Sequence, residues 1–144
     1  MKQYSLDGIR VLLLEDEYLI AMDVEHLCRE HGAKDFTIAY SVEAVDPALP
    51  YDVAILDVML AGQNTLDFAK ELARRAIPFV FATGYTDMAD IFSSLEPPVP
   101  EVEIVSKPYS SAALISALVR ALARDKTGQA GVDPMTCDDI ASGP

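Results

Sequence analysis

Short apolar runs bounded by polar or turn residues recur at residues 10–14, 36–39, 53–56, 79–82 and 103–105, and these read as five strands. Between them the period changes. Ala21, Val24, Leu27, Cys28 and His31 share one face of a helix, as do Leu66, Ala69, Leu72 and Ala73. A last amphipathic helix over residues 110–126 places Leu114, Ala117, Leu118, Ala121 and Leu122 on one side, behind a serine pair able to cap its start. Strands this continuously apolar need cover on both faces of their sheet, and helical crossovers between parallel strands provide it. The expected fold is α/β and doubly wound, a five-stranded parallel sheet with helices on both faces.

Two helices are less marked. Residues 41–49 are expected to form the second, with Pro47 near an end or kinking it, and residues 86–94 a short fourth. Pro97, Pro98 and Pro100 then forbid helix. From Thr127 onward Gly, Asp, Ser and Pro replace any useful period, so residues 127–144 are expected to be a flexible tail. Residues 1–126 are expected to form the one domain, with no output module.

With 144 residues, 51% of them hydrophobic, the chain has enough apolar material for one core. The formal net charge of −12 argues against nucleic acid as a direct partner, because binding a phosphate backbone needs clustered Lys and Arg. Acidity also suits a site that gathers a divalent cation, although a solvated acidic surface is its commoner cause. Cys28 and Cys137 lie far apart and outside any Cys-x-x-Cys pair; Cys28, on the apolar stripe of the first helix, reads as a buried, inert thiol. His26 and His31 read as surface or packing histidines, and Tyr40, Tyr51 and Tyr109 as amphipathic packing residues. The apolar run at residues 11–14 is interrupted by Glu15, Asp16 and Glu17 and is far too short to span a bilayer. No membrane insertion and a cytoplasmic location are expected.

In an open parallel sheet, ligands bind beyond the carboxyl ends of the strands. There the first strand delivers Glu15 and Asp16, the third Asp57, the fourth Thr83 and the fifth Lys107. Hard oxygen ligands of this kind suit Mg²⁺, which takes one or two carboxylates and welcomes a phosphate oxygen. Phosphoryl transfer needs an aligned nucleophile and compensation of charge on the transferring group. Asp57 is the natural nucleophile, Asp16 the principal metal ligand and Glu15 an outer or second ligand, while Lys107 and Thr83 are placed to contact phosphoryl oxygens. Turn formation or helix capping explains any one of these residues, but poorly explains this mixture at four strand ends.

The ordered segments LLLEDE, LDVML, FATGY and SKPY resemble the receiver domains of bacterial two-component response regulators, over roughly residues 8–126. The stretch PFVFATGY at residues 78–85 is similar to a receiver subfamily known by its PFxFATGY motif, described chiefly from alphaproteobacteria and often lacking an output domain. The resemblance implies a flavodoxin-like sheet of order 2-1-3-4-5. It makes Asp57 the phospho-acceptor, Glu15 and Asp16 the acidic pair that holds Mg²⁺ with Asp57, and the backbone carbonyl of Met59 a further metal ligand. It makes Thr83 the switch hydroxyl, Lys107 the phosphate-contacting lysine, and the bond before Pro108 a cis peptide. The implied protein is a stand-alone signalling receiver, not an enzyme beyond its own phosphorylation and dephosphorylation. It would take its phosphoryl group from a sensor histidine kinase or phosphotransfer protein, then act on a downstream protein by contact or serve as a phosphate sink or shuttle.

The chain also departs from that pattern. Ile104 stands where receivers usually carry an aromatic switch residue, and Tyr85 is the candidate replacement. Ala61 and Thr65 replace a common proline and glycine, so the loop before the third helix is expected to be differently shaped or more mobile. Met59 and Tyr85 are bulky and carry no group to orient an attacking water, which predicts a comparatively long-lived phosphoryl group. Two other functions compete. One is a pseudo-receiver that binds partners without being phosphorylated. The other is an aspartyl phosphohydrolase of the haloacid dehalogenase type, which needs a second Asp where this chain has Met59, and a cap domain.

Overall fold

Alternate residues of each central strand point to opposite faces of a sheet, and here both faces are apolar. In the computed structural model, which describes residues 5–83, 103–107 and 110–131, with residues 83 and 125–131 as backbone alone, that alternation builds two cores. The chain runs through β1 (Arg10–Leu14), α1 (Tyr18–Glu30), β2 (Asp35–Ala39), a 3₁₀ turn (Val42–Ala44), β3 (Val53–Asp57), the short pair β4 (Met59–Leu60) and β5 (Gln63–Asn64), and α2 (Leu66–Arg74). It continues through β6 (Phe79–Thr83), β7 (Glu103–Ser106) and α3 (Ser111–Gly131). β2-β1-β3-β6-β7 form one parallel sheet in that order. This is the expected 2-1-3-4-5 order once the separate β4–β5 hairpin is set aside.

On one face Val11, Leu13, Val53, Ile55, Val80, Ala82 and Val105 pack under Ala21, Val24 and Cys28 of α1 and Leu114, Ala117, Leu118 and Ala121 of α3. On the other, Leu12, Leu14, Ala54, Leu56, Phe79 and Phe81 meet Ala69 and Leu72 of α2. The Phe79 and Phe81 rings pack edge to face at 5.5 Å. Burial pushes the Cys28 thiol up to about 12, so it stays protonated and unreactive at neutral pH, as its place on the α1 stripe implies. At the opposite end from the strand C-termini, Asp52 accepts the Arg10 backbone N–H and two guanidinium bonds at 2.8–2.9 Å. This pairs the start of β1 with the start of β3, and the Arg10 hydrogen bond holds the Asp52 carboxyl below its usual range.

Three local expectations need correcting. Residues 41–49 form no α-helix: only Val42–Ala44 turns, with Ser41 Oγ accepting the Ala44 N–H, before Val45 extends. Pro47 disfavours helical backbone at Asp46, and the Asp46 carboxylate takes the Ala48 N–H in a local turn instead. The last helix begins behind Ser110, whose Oγ accepts the Ala113 N–H, and continues past Lys126 to Gly131. Gly128 within it weakens a helix without ending it. The segment after Asp57, expected as a loop, contains the antiparallel hairpin β4–β5, turned by Ala61 and Gly62 with both φ values positive (51° and 83°). The expected fourth helix at residues 86–94, Pro97, Pro98, Pro100, Tyr109 and Cys137 lie outside the described residues.

His26 is a surface residue 3.2 Å from Glu30, and the His31 ring nitrogen meets the Leu27 carbonyl at the end of α1. Among the described residues no helix is long and apolar enough to cross a membrane. Leu118 has no exposed surface and bridges α3 to the sheet. Leu118→Ala is therefore expected to lower the unfolding free energy by about 2–5 kcal/mol in urea denaturation. Leu19→Ala, at a residue 77% exposed, is expected to cost about 0.5 kcal/mol or less.

Candidate functional site

The rows that line the α1–α3 core run on past its edge and become polar. Glu15 follows Val11 and Leu13 at spacing two, Asp57 follows Val53 and Ile55, and Lys107 follows Val105. Leu14 is level with Leu56, Asp57 with Ala82, and Ala82 with Val105, so the register gathers these three side chains at one end of the sheet. The stem of Lys107 spans the remaining gap. Its ammonium donates to Glu15 Oε1 at 2.7 Å and to Asp57 Oδ2 at 3.0 Å.

Glu15 is 1% exposed, Asp57 13% and Lys107 16%. Carboxylates this enclosed need compensation. Glu15 obtains it from Lys107 on one oxygen and from the Glu17 N–H on the other, at 3.1 Å. Burial works against the Lys107 charge, but the hydrogen bonds and charges of Glu15 and Asp57 prevail, and the ammonium is held above its ordinary 10.5. Its stabilising contribution is thus complete below pH 10.5 and is lost only as pH rises through the raised value.

Asp16 faces solvent beside this pair. Its Oδ2 accepts the Ala61 N–H at 3.0 Å, which ties the turn of the β4–β5 hairpin to the site. Glu15, Asp16 and Asp57 can each present a carboxylate oxygen such that all three lie within 4.8 Å of one another. Three hard oxygen donors with one open side fit a small divalent cation. Their formal charge of −3, with Lys107, leaves −2 for such a cation to neutralise. Lys107 holds Asp57 Oδ2, and Asp57 Oδ1 has no hydrogen-bond partner among the described residues.

Of the other expected site residues, Met59 is half-buried in β4 opposite Asn64. Thr83 ends β6 level with Ser106. Ile104 is half-buried and packs against the α2-side core. Tyr85 and Pro108 lie outside the described residues. Thr65 had no place in the expected site, yet its hydroxyl donates to the Asp57 carbonyl at 2.8 Å. The available signal was the substitution itself, a hydroxyl where glycine is common.

The chain is similar to Nodulation protein W of Bradyrhizobium diazoefficiens, 31% identical over 121 residues that make up 81% of this chain and 52% of that protein. It is 33% identical over 118 residues to the sensory transduction protein RegX3 of Mycobacterium tuberculosis, covering 79% of this chain and 50% of the relative. The solution structure of the PhyR response regulator REC domain of Erythrobacter litoralis superposes with a TM-score of 0.65 at 26% identity, over 82% of this chain and 92% of that domain. The chain belongs to the response-regulator receiver family. No protein-family model matches it, and it spans about half the length of the curated relatives it matches. In this receiver the fold and sheet order follow the family.

Lys107→Met would leave Glu15 buried beside Asp57 without its cation. The receiver is expected to lose about 3 kcal/mol of unfolding free energy. Adding Glu15→Gln should recover a measurable part of that loss, because it removes the charge left unpaired. Urea denaturation of the two single variants and the double variant checks this; equal losses in Lys107→Met and the double variant would refute the pairing.

Proposed function

We propose that this receiver accepts a phosphoryl group on Asp57 from the phosphohistidine of a sensor histidine kinase or phosphotransfer protein. The observation that carries the reading is the Lys107 ammonium shared between Glu15 and Asp57 beside the exposed Asp16 carboxylate. Oδ1 of Asp57 attacks phosphorus as the P–N bond breaks. The bonding pair returns to the imidazole nitrogen, which takes a proton from solvent, and an acyl phosphate results. Glu15 keeps Lys107 at the reacting carboxylate, and Lys107 shares its charge with the incoming phosphoryl oxygens. Asp16 and Asp57, with the Met59 carbonyl and with Glu15 as an outer partner, would hold Mg²⁺. The ion supplies positive charge to the phosphoryl oxygens during transfer. Thr83 is assigned a hydrogen bond to the phosphoryl group, and Tyr85 the switch role that Ile104 cannot fill.

Residues 1–126 are assigned to the receiver, acting in the cytoplasm through contact with a downstream protein or as a phosphate sink or shuttle. The likeness of PFVFATGY to the PFxFATGY subfamily supports the stand-alone reading. Acetyl phosphate with Mg²⁺ is expected to add one phosphoryl group, seen by intact-protein mass. Addition should be lost with EDTA and in Asp57→Ala. Undiminished labelling of Asp57→Ala would move the acceptor elsewhere, and no labelling of the wild type would favour the phosphorylation-independent pseudo-receiver. Steady turnover of a phosphomonoester would instead favour the phosphohydrolase.

The lifetime of the acyl phosphate gives a second check. Met59 is half-buried two residues beyond the acceptor and has no amide or carboxylate to orient water. Dephosphorylation of Met59→Asn, followed by the loss of phosphorylated mass after removal of the donor, is expected to be several-fold faster than in the wild type. Equal decay would remove Met59 from the control of lifetime.

A further inference from the structure

We propose that Thr65 is a positioning residue for phosphoryl transfer, its hydroxyl setting the peptide that carries the Asp57 carboxylate; this rests on Asp57 being the acceptor. A threonine at a helix N-cap ordinarily turns its oxygen toward the first free N–H groups of the helix. Thr65 is the N-cap of α2 and makes no such bond, and its backbone (φ −103°, ψ 18°) lies outside the extended region that capping uses. Asn64 Oδ1 takes the Leu66 N–H at 3.1 Å instead. The Thr65 hydroxyl is directed backward to the Asp57 carbonyl at 2.8 Å, with the Val58 carbonyl at 3.4 Å.

Thr65 is 1% exposed, so water cannot replace this donor. The bond acts on the right torsion. Asp57 is the last residue of β3, where ladder support ends, and its carbonyl belongs to the peptide that leads out of the strand. Holding that carbonyl holds ψ of Asp57, and with it the direction of the Cα–Cβ bond relative to Lys107. The Thr65 N–H also donates to the Val58 carbonyl at 2.9 Å, so one residue restrains two successive peptides after the acceptor. Lys107 holds the carboxylate end at 3.0 Å. Asp57 is therefore restrained from both ends, and small misplacement of a nucleophile is costly in rate.

The test compares Thr65→Val, which keeps the shape and removes the donor, with Thr65→Ser, which keeps the donor. Leu72→Val, in the buried face of α2, serves as a control for lost stability. Each is phosphorylated with acetyl phosphate in saturating Mg²⁺ over a range of donor concentrations, and thermal unfolding is recorded in parallel. Thr65→Val is expected to lower the maximal phosphorylation rate about tenfold or more with little change in the donor concentration giving half that rate. Thr65→Ser should return to within about twofold of the wild type, and Leu72→Val should phosphorylate normally whatever its melting temperature. Thr65→Ala replaces the valine variant if the latter does not fold. The inference is overturned by a Thr65→Val rate within twofold of the wild type, by a loss equal to that of Leu72→Val, or by no recovery in Thr65→Ser. An unphosphorylated wild type overturns the acceptor assignment, a result distinct from these.

Discussion

The site depends on one ammonium group. Glu15 is a carboxylate enclosed by protein, and Asp57 is nearly so, at the end of a sheet whose rows are otherwise aliphatic. Two such charges side by side raise the energy of the folded state unless a cation of opposite sign lies within hydrogen-bond reach. Lys107 meets both from the edge strand of the sheet, two strands away from β3. This imposes a condition on the fold as a whole: the register β1 to β3, β3 to β6 and β6 to β7 must all be correct before Lys107 can reach. Once it is, the same contacts that make the charges tolerable leave one Asp57 oxygen outside the pairing.

Much of this was legible because strands repeat every two residues. The runs ending at Leu14, Leu56 and Ala82 each pass directly into a polar residue, and a parallel sheet carries all such residues to one rim. Glu15, Asp57 and Lys107 even share row parity with the apolar residues before them, so their common face could be counted off. The helices α1 and α2 were equally readable from their apolar stripes. Pairing distances were not, because no local pattern states how far the Lys107 stem must extend or which Glu15 oxygen it meets.

What stayed illegible was local and turned on competition between backbone partners. Residues 41–49 have helical spacing, yet Asp46 and Pro47 offer a turn that the backbone adopts instead. Between Asp57 and α2, Ala61 and Thr65 suggested a differently shaped or more mobile loop, since proline and glycine were missing. The segment has its own shape, the β4–β5 hairpin. Ala61 has the N–H that a proline lacks and gives it to Asp16, and Thr65 has the hydroxyl that a glycine lacks and gives it to Asp57. The Ala61 contact reaches 45 residues back along the chain and the Thr65 contact eight, and composition alone names neither partner. The left-handed backbone at Ala61 is unfavourable for a residue with a Cβ, and the bond to Asp16 is part of what holds it there.

The restraints on β7 are of a different kind from those on β3. At its start, Glu103 is held by Arg120 at 3.0 Å and Arg124 at 2.6 Å, both from α3; burial works against its charge, but the two arginines together keep its carboxyl below the usual range. Beyond its end, Lys107 is divided between two carboxylates. The strand is thus a short rod with an ion pair at each end, one joining it to α3 and one to Asp57. A change of charge at Asp57 would alter the contact to Lys107 beyond one end of β7, while Glu103 ties the other end to α3. Ile104, between those two ends, packs against the α2-side core. An aliphatic residue at this position has no ring to rotate, and the ion pairs on either side of it are the charged contacts that link Asp57 to α3 through β7.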